Sequence, residues 1–448
     1  MRVLMVRASV VALFIIAAPA LCAQREGDDC TAEDLDRRIA GCTRILQDQG
    51  EALRNRVGAF INRAIAYKAK GDLDRAIADY NEAIRLDPKY ADAYYNRAIA
   101  YKAKGDLDRA IADYNEAIRL NPQDALAYNN RGIAYRAKGD LDRAIADYNE
   151  AIRLNPKDAL AYSHRGYAYQ AKGDLDRAIA NYDEAIRLDP KDALAYNNRG
   201  IAYQAKGDFG RATADYDEAI QLDPRDALAH YNRGIAYKAE GDLDRAIADY
   251  DEAVRLNPKD ALAYSYRGYA YQAKGDASSA LADFSEAIRL DPKNTWAYKN
   301  RGIVYLYGGL LDKAQADFKQ AAELAPKDVY SALWFDIAER RAGLPSNLPL
   351  AAKQFDMTMW PAPLVRLFLG EISFAATFAA ADDKDATRSR RKVCDANLYG
   401  AEFAMLQSRK EEALELYRLA AGDCPNDFIE WTAANAALRE LGVTPYLQ

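Results

Sequence analysis

The residues able to do chemistry are few or evenly spread. The chain has two histidines, His164 and His230. That leaves little room for a histidine-rich metal centre or a Ser-His-Asp triad. Of five cysteines, Cys22, Cys30, Cys42, Cys394 and Cys424, none lies at a metal-ligand spacing from another, so no zinc site is expected. No His-Glu-x-x-His run and no glycine-rich phosphate loop is present. Carboxylates recur at regular intervals instead of clustering. The set with the clearest chemistry is a row of side-chain amides: Asn62, Asn96, Asn130, Asn198, Asn232 and Asn300. Each carries a donor and an acceptor, so each can pair with both polar groups of a peptide bond. A regular row of them could hold an extended chain without reading its sequence. The alternative is that the row merely reflects copied units.

Those amides are copied because the sequence is. A 34-residue period runs without a gap through residues 57–328 as eight units, beginning at residues 57, 91, 125, 159, 193, 227, 261 and 295. Such a period signals a repeat architecture. In the second unit Tyr94, Ala98 and Tyr101 share one helical face, and Ala110, Tyr114 and Ala117 share another. Between them Gly105 and Asp106 suit a helix C-cap and the next N-cap. Pro122 ends the unit, and every unit has its equivalent. Small residues let two helices approach, and the aromatic residues fill the gap. One such pair cannot bury its face alone, so neighbours must stack. This accounts for 31 Tyr against 12 Phe.

The unit resembles the tetratricopeptide repeat (TPR). The resemblance implies an all-α superhelical solenoid of about eight helix-turn-helix repeats, with helical caps at both ends and a concave peptide-binding groove lined by the first helices. The groove candidates are the six asparagines at position 6 of the unit, with Ile99, Ile133, Tyr167, Ile201, Ile235 and Tyr269 at position 9. Position 12 is mostly basic or amide, including Lys68, Lys102, Arg136 and Lys238. One departure from the family recurs: position 7 is arginine in all eight units, and position 23 is Asp in seven and Asn181 in the fourth. We expect these to pair, within or between units, in preference to forming an arginine ladder for a ligand. A chaperone-tail carboxylate clamp is not expected, because position 9 never carries asparagine.

The flanks read as follows. Residues 1–23 have the basic start, apolar core and small-residue end of a secretory signal peptide, cut after Ala23, with lipidation of Cys22 as the alternative. The protein is thus expected in the periplasm or secreted, without membrane anchoring. Residues 24–56 hold a capping helix, with Thr31 as a candidate start. Residues 329–393 read as a helical extension with a Pro-rich loop, in which Asp382–Lys392 is a loop or helix end. Residues 394–448 read as a degenerate repeat pair and a closing helix over Phe428–Leu441. Cys394 and Cys424 are equidistant from a turn near Arg409, which favours a bridge between antiparallel helices. Cys30–Cys42 can bridge only if residues 30–34 fold back and the helix starts later; otherwise Cys42 is buried and free.

The tail resembles the C-terminal part of NlpI-type lipoproteins of the bacterial envelope, through Ala332-Leu333-Trp334, Leu367-Phe368-Leu369-Gly370, Asn397-Leu398-Tyr399-Gly400 and Asp427-Phe428-Ile429-Glu430-Trp431. That resemblance implies an adaptor that regulates a periplasmic protease or peptidoglycan hydrolase and can form a homodimer. The expected function is an exported scaffold that binds protein partners through extended segments, with no cofactor. The near-balanced charge, −6 overall, gives no footprint for nucleic acid. An enzyme is the remote alternative; a sugar transferase with such repeats would need a large catalytic domain after them.

Overall fold

The computed structural model describes residues 29–425 and 428–445. The leader, with its cleavage site and Cys22, and Asp427 of the tail resemblance lie outside the described residues. Every regular element among the described residues is an α- or 3-10 helix. The chain forms two compact units, divided after Pro190.

In the first unit the repeats are helix pairs: Leu53–Ala69 with Leu73–Leu86, Ala91–Ala103 with Leu107–Leu120, Ala125–Ala137 with Leu141–Leu154, and Ala159–Ala171 with Leu175–Leu188. Each turn works as the sequence suggests. Gly105 takes φ +80°, a conformation that costs other residues but not glycine. Asp106 then accepts the backbone N–H of Arg109 at 3.1 Å. Tyr114 is fully buried beside Ala98, Ala110 and Ala134.

Arginine at position 7 pairs both within and between repeats. Arg97 donates from Nε and Nη2 to the two carboxylate oxygens of Asp113, each at 2.7 Å, and from Nη1 to Asn81 of the preceding repeat at 2.6 Å. One planar guanidinium thus ties three helices together. The same fork joins Arg131 to Asp147 and Asn115. These side chains are mostly buried (17% exposed for Arg97, 9% for Asp113), so they bind the solenoid and do not face a ligand. The fourth repeat is a natural variant of the device. Arg165 has only the Asn181 and Asn149 amide oxygens, at 2.7 and 2.8 Å, and burial holds its pKa below the ordinary guanidinium value. Charge-assisted hydrogen bonds contribute more than neutral ones. Asn181→Asp is therefore expected to stabilise the protein by about 1 kcal/mol, read as a higher urea midpoint at neutral pH. An unchanged or lower midpoint would show that the amide's own bond to the Arg177 carbonyl, at 2.7 Å, already compensates.

The N-terminal cap corrects one expectation. The helix starts at Leu35, not Thr31, with Asp34 as its cap. Residues Asp29–Thr31 form a 3-10 turn that folds back over the helix. A Cβ on Gly41 would lie 2.5 Å from the Asp29 carbonyl carbon, so glycine permits the crossing. That approach brings the Cα atoms of Cys30 and Cys42 to 4.4 Å, and the two are bridged.

The second unit continues with the pairs Ala193–Ala205 with Phe209–Leu222, Ala227–Ala239 with Leu243–Leu256, Ala261–Lys274 with Ala277–Leu290, and Thr295–Tyr307 with Leu311–Leu324. Val329–Arg341 packs as one more first helix. After short helices at Leu348–Ala351, Ala362–Phe368 and Phe374–Ala379 come Ala386–Leu406, Lys410–Asp423 and the closing helix Ile429–Glu440. The charged stretch is a helix end: the long helix starts at Ala386, capped by Asp385. Cys394 and Cys424 are bridged across the antiparallel pair, with Cα atoms 5.4 Å apart. The tail and the last repeats share one core that includes Trp334, Leu367, Phe368, Leu398, Tyr399 and Trp431.

Candidate functional site

The first helices carry the predicted face, and the two units present it differently. In the first unit Leu126 and Leu160, both at position 2 of their repeats, are 51% and 45% exposed, and Tyr167 is 44% exposed. Ile99 and Ile133 lie half-buried beside them. The recurring leucine at position 2 was not among the predicted site residues. Its signal was present in the sequence: an apolar residue just after the helix-capping Asp, in five successive repeats from Leu126 to Leu262. Arg136 lies 4.5 Å from the centre of the Tyr167 ring, within cation–π range.

The asparagines do not form a uniform row of free amides. Asn96 donates to the Asp92 carbonyl one turn back, at 2.8 Å. Asn130 donates to Tyr95 Oη and the Leu126 carbonyl, each at 3.1 Å, and accepts from Lys102 at 2.9 Å. Asn62 lies against the Cys30 sulfur at 3.9 Å. His164, which interrupts the row, contacts the Asn129 amide oxygen at 3.0 Å. Burial, reinforced by the charges of Arg136 and Lys102, lowers its pKa to about 3, so it is neutral.

In the second unit Asn198, Ile201 and Ile235 are half-buried, and Leu194 and Leu262 are about half exposed (51% and 49%). Asn232 is buried and donates to Asn197 at 3.0 Å. Two candidates prove inaccessible. Tyr269 is 1% exposed and Asn300 is fully buried. Tyr269 donates its hydroxyl proton to the Phe428 carbonyl at 2.8 Å, and Arg439 donates to the Ala273 carbonyl at 3.0 Å. The closing helix thus lies on the first-helix face of residues 261–307, where Leu306, 1% exposed, joins the core with Trp431 and Leu438. The chain fills that stretch of its own groove. The physical reason is that Gln272 and Leu306, at position 12, are uncharged, whereas the first three repeats carry Lys68, Lys102 and Arg136 there, so an apolar helix can be buried on them without stranding a charge.

Among the described residues no group of three or more His, Cys, Asp or Glu side chains could hold a metal ion. Among them, too, no helix is long and apolar enough to cross a membrane.

Two family profiles match consecutive parts of the chain. One, described as TPR repeat, matches residues 65–105, 100–136, 132–173 and 169–207. The other, described as Tetratricopeptide repeat, matches 197–261, 231–295 and 266–329. No curated protein sequence matches the chain. Among solved structures, MamA is 29% identical, over 37% of this chain and 96% of its own, with a TM-score of 0.35. YrrB, described as a TPR protein with an unusual peptide-binding site, is 26% identical over 44% of this chain and 98% of its own, with a TM-score of 0.37. A tetratricopeptide repeat protein from Parabacteroides merdae is 22% identical over 55% of this chain and 98% of its own, with a TM-score of 0.45. With seven profile matches spanning residues 65–329 and the helix pairs to go with them, the chain belongs to the tetratricopeptide repeat family.

Proposed function

We propose that the protein captures an extended segment of a partner along the first-helix face of residues 53–190, and that its closing helix holds the equivalent face of residues 261–307 shut. The observation that supports this is the contrast in exposure. Leu126 and Leu160 stay exposed in successive repeats, and Tyr167 is exposed whereas Tyr269, at the same position, is covered together with Leu306. Large exposed apolar side chains in a row mark an interaction surface far better than scattered ones. One apolar side chain and one polar group per repeat suit a ligand that is itself regular and extended. The two disulfides favour an oxidising compartment, which agrees with export to the periplasm or beyond.

A role as regulator of a periplasmic protease or peptidoglycan hydrolase has less support. The residues that carry the tail resemblance, Leu333, Trp334, Leu367, Phe368, Tyr399 and Trp431, are buried in the common core. Buried there, they offer a partner no surface.

The test is a peptide array probed with the full chain. Ile133→Asp and Leu160→Asp together are expected to weaken every captured peptide at least about tenfold, by placing charge in an apolar contact. Leu350→Asp, on an exposed loop helix of the tail, should leave capture unchanged. The reverse pattern would place the binding surface on the tail.

A further inference from the structure

The polar half of the open face carries more information than its apolar half. Position 12 of the first three repeats presents Lys68, Lys102 and Arg136, all half-buried on first helices of one unit. None of the three makes an ion pair among the described residues. Elsewhere in the same repeats most cations are matched, and the two that make no ion pair among the described residues, Lys89 and Lys157 at position 33, lie exposed on turns. Position 7 pairs with position 23, as in Arg97 with Asp113. Position 14 pairs with the preceding repeat, as in Lys104 with Asp74. Position 19 pairs with position 16, as in Arg109 with Asp106, and position 29 with position 26, as in Arg119 with Glu116.

The unmatched row is costly to keep. Burial lowers the pKa of Lys68. Burial, then the charges of Arg136 and Lys68, lowers that of Lys102. Lys102 thus senses the cations of both adjacent repeats, with the Asn130 amide oxygen beside it and the Tyr167 ring beside Arg136 to offset the charge. An anion placed along the row would relieve both the desolvation and the mutual repulsion. The row is confined to these repeats: position 12 is neutral at half-buried Gln170 and Gln204, and neutral again at Gln272 and Leu306, 4% and 1% exposed beneath the apolar closing helix. Negative charge on the open face sits at the opposite end of the first helix, at Asp92 of position 2. The ten residues between positions 2 and 12 correspond to about 15 Å of helix, so the two charges mark opposite edges of the face.

We infer that the occupant of the open face is an acidic segment of a partner protein, in which carboxylates meet Lys68, Lys102 and Arg136 while apolar side chains meet the row of Ile99, Ile133 and Leu160. This rests on the groove reading proposed above. Asp92 would repel the acidic edge and so fix which side of the segment faces which edge of the groove.

The experiment measures fluorescence anisotropy with the full chain and four labelled probes: a peptide of alternating leucine and glutamate, its glutamine and lysine counterparts, and a single-stranded oligonucleotide of equal charge. The glutamate peptide is expected to bind at least about tenfold tighter than the glutamine peptide, with the difference shrinking as salt is raised. Lys68→Gln, Lys102→Gln and Arg136→Gln together should abolish that preference. Lys104→Gln and Lys138→Gln, at matched positions, should not. Equal binding of the glutamate and glutamine peptides would overturn the acidic assignment and leave the groove reading standing. Binding of the glutamate peptide that survives the triple substitution would place it on another surface and overturn the assignment. A preference for the oligonucleotide, or no binding of the glutamate peptide, would also overturn it. The array experiment with Ile133→Asp and Leu160→Asp decides the groove reading separately.

Discussion

Arg341→Ala is expected to destabilise the second unit by about 3–5 kcal/mol, a large fraction of what holds most domains together. Arg341 is 13% exposed and Glu402 not at all. Arg341 donates from Nη2 to Glu402 Oε2 at 2.8 Å. Tyr307 and Tyr417 each donate a hydroxyl proton to Glu402 Oε1 at 2.6 Å. Arg341 Nη1 lies 3.6 Å from Glu440 on the closing helix. Five helices therefore converge on one buried carboxylate. Removing the arginine leaves that carboxylate with two hydroxyl donors and no countercharge, which is why the cost exceeds that of one hydrogen bond. Replacing both partners with neutral groups of similar size, Arg341→Met with Glu402→Gln, is expected to lose much less, because no charge is then stranded. Urea unfolding of the two single variants and the double variant supplies the cycle. If the double variant is as damaged as the sum of the singles, the ion pair is not what matters at this point.

The five-helix knot was not legible in the sequence, and the reason is physical. Period and spacing report contacts between neighbours on a helix or between adjacent repeats. They located the helix pairs, the Gly105–Asp106 turn, the Arg97–Asp113 fork and the Cys394–Cys424 bridge, since each is fixed by local geometry or a short register. Tyr269 with Phe428, 159 residues apart, follows from no such rule. What was visible was a permissive condition that does not single out the place: position 12 is uncharged at Gln272 and Leu306, which the closing helix covers, but also at Gln170 and Gln204. The charge density of Asp382–Lys392 does not by itself tell a loop from a helix end, and the stretch is the latter. Its charges are satisfied at a helix start, with Asp385 accepting the Arg388 N–H at 3.0 Å and Lys392 pairing with Asp383 at 2.8 Å. Likewise the asparagine row was visible as a pattern, but not that Asn130 and Asn232 would spend their amides on neighbours in adjacent repeats.

Hydrogen exchange in the closing helix is expected to become faster, relative to its intrinsic rate, as pH rises from about 5 to about 8, and Glu430→Gln is expected to remove that dependence. Glu430 sits at the start of the helix, buried near Asp395. Asp395 accepts hydrogen bonds from Tyr330 Oη at 2.6 Å and Trp360 Nε1 at 2.8 Å. Burial, then the Asp395 carboxylate, raises the Glu430 carboxyl to about 8, against weaker opposing charges on Arg391 and Lys299. Between its ordinary value of 4.5 and about 8 the docked helix therefore holds a proton that the undocked helix releases. More protons bound in the docked state mean that docking weakens as pH rises through this window. It is fully favoured below the window, and the loss is complete above it. At about 1.4 kcal/mol per unit, the full shift corresponds to at most roughly 5 kcal/mol, enough to change a docked helix into an exchanging one. Glutamine keeps the shape and a donor but cannot ionise, so Glu430→Gln should protect residues 429–440 by more than about tenfold over wild type at alkaline pH and match it near pH 5. Protection in the wild-type chain that is flat across the window would show that Glu430 does not hold that proton in the docked helix. Because Tyr269 is bonded to the Phe428 carbonyl at the root of this helix, the covered first-helix face of residues 261–274 is expected to gain exchange over the same pH window.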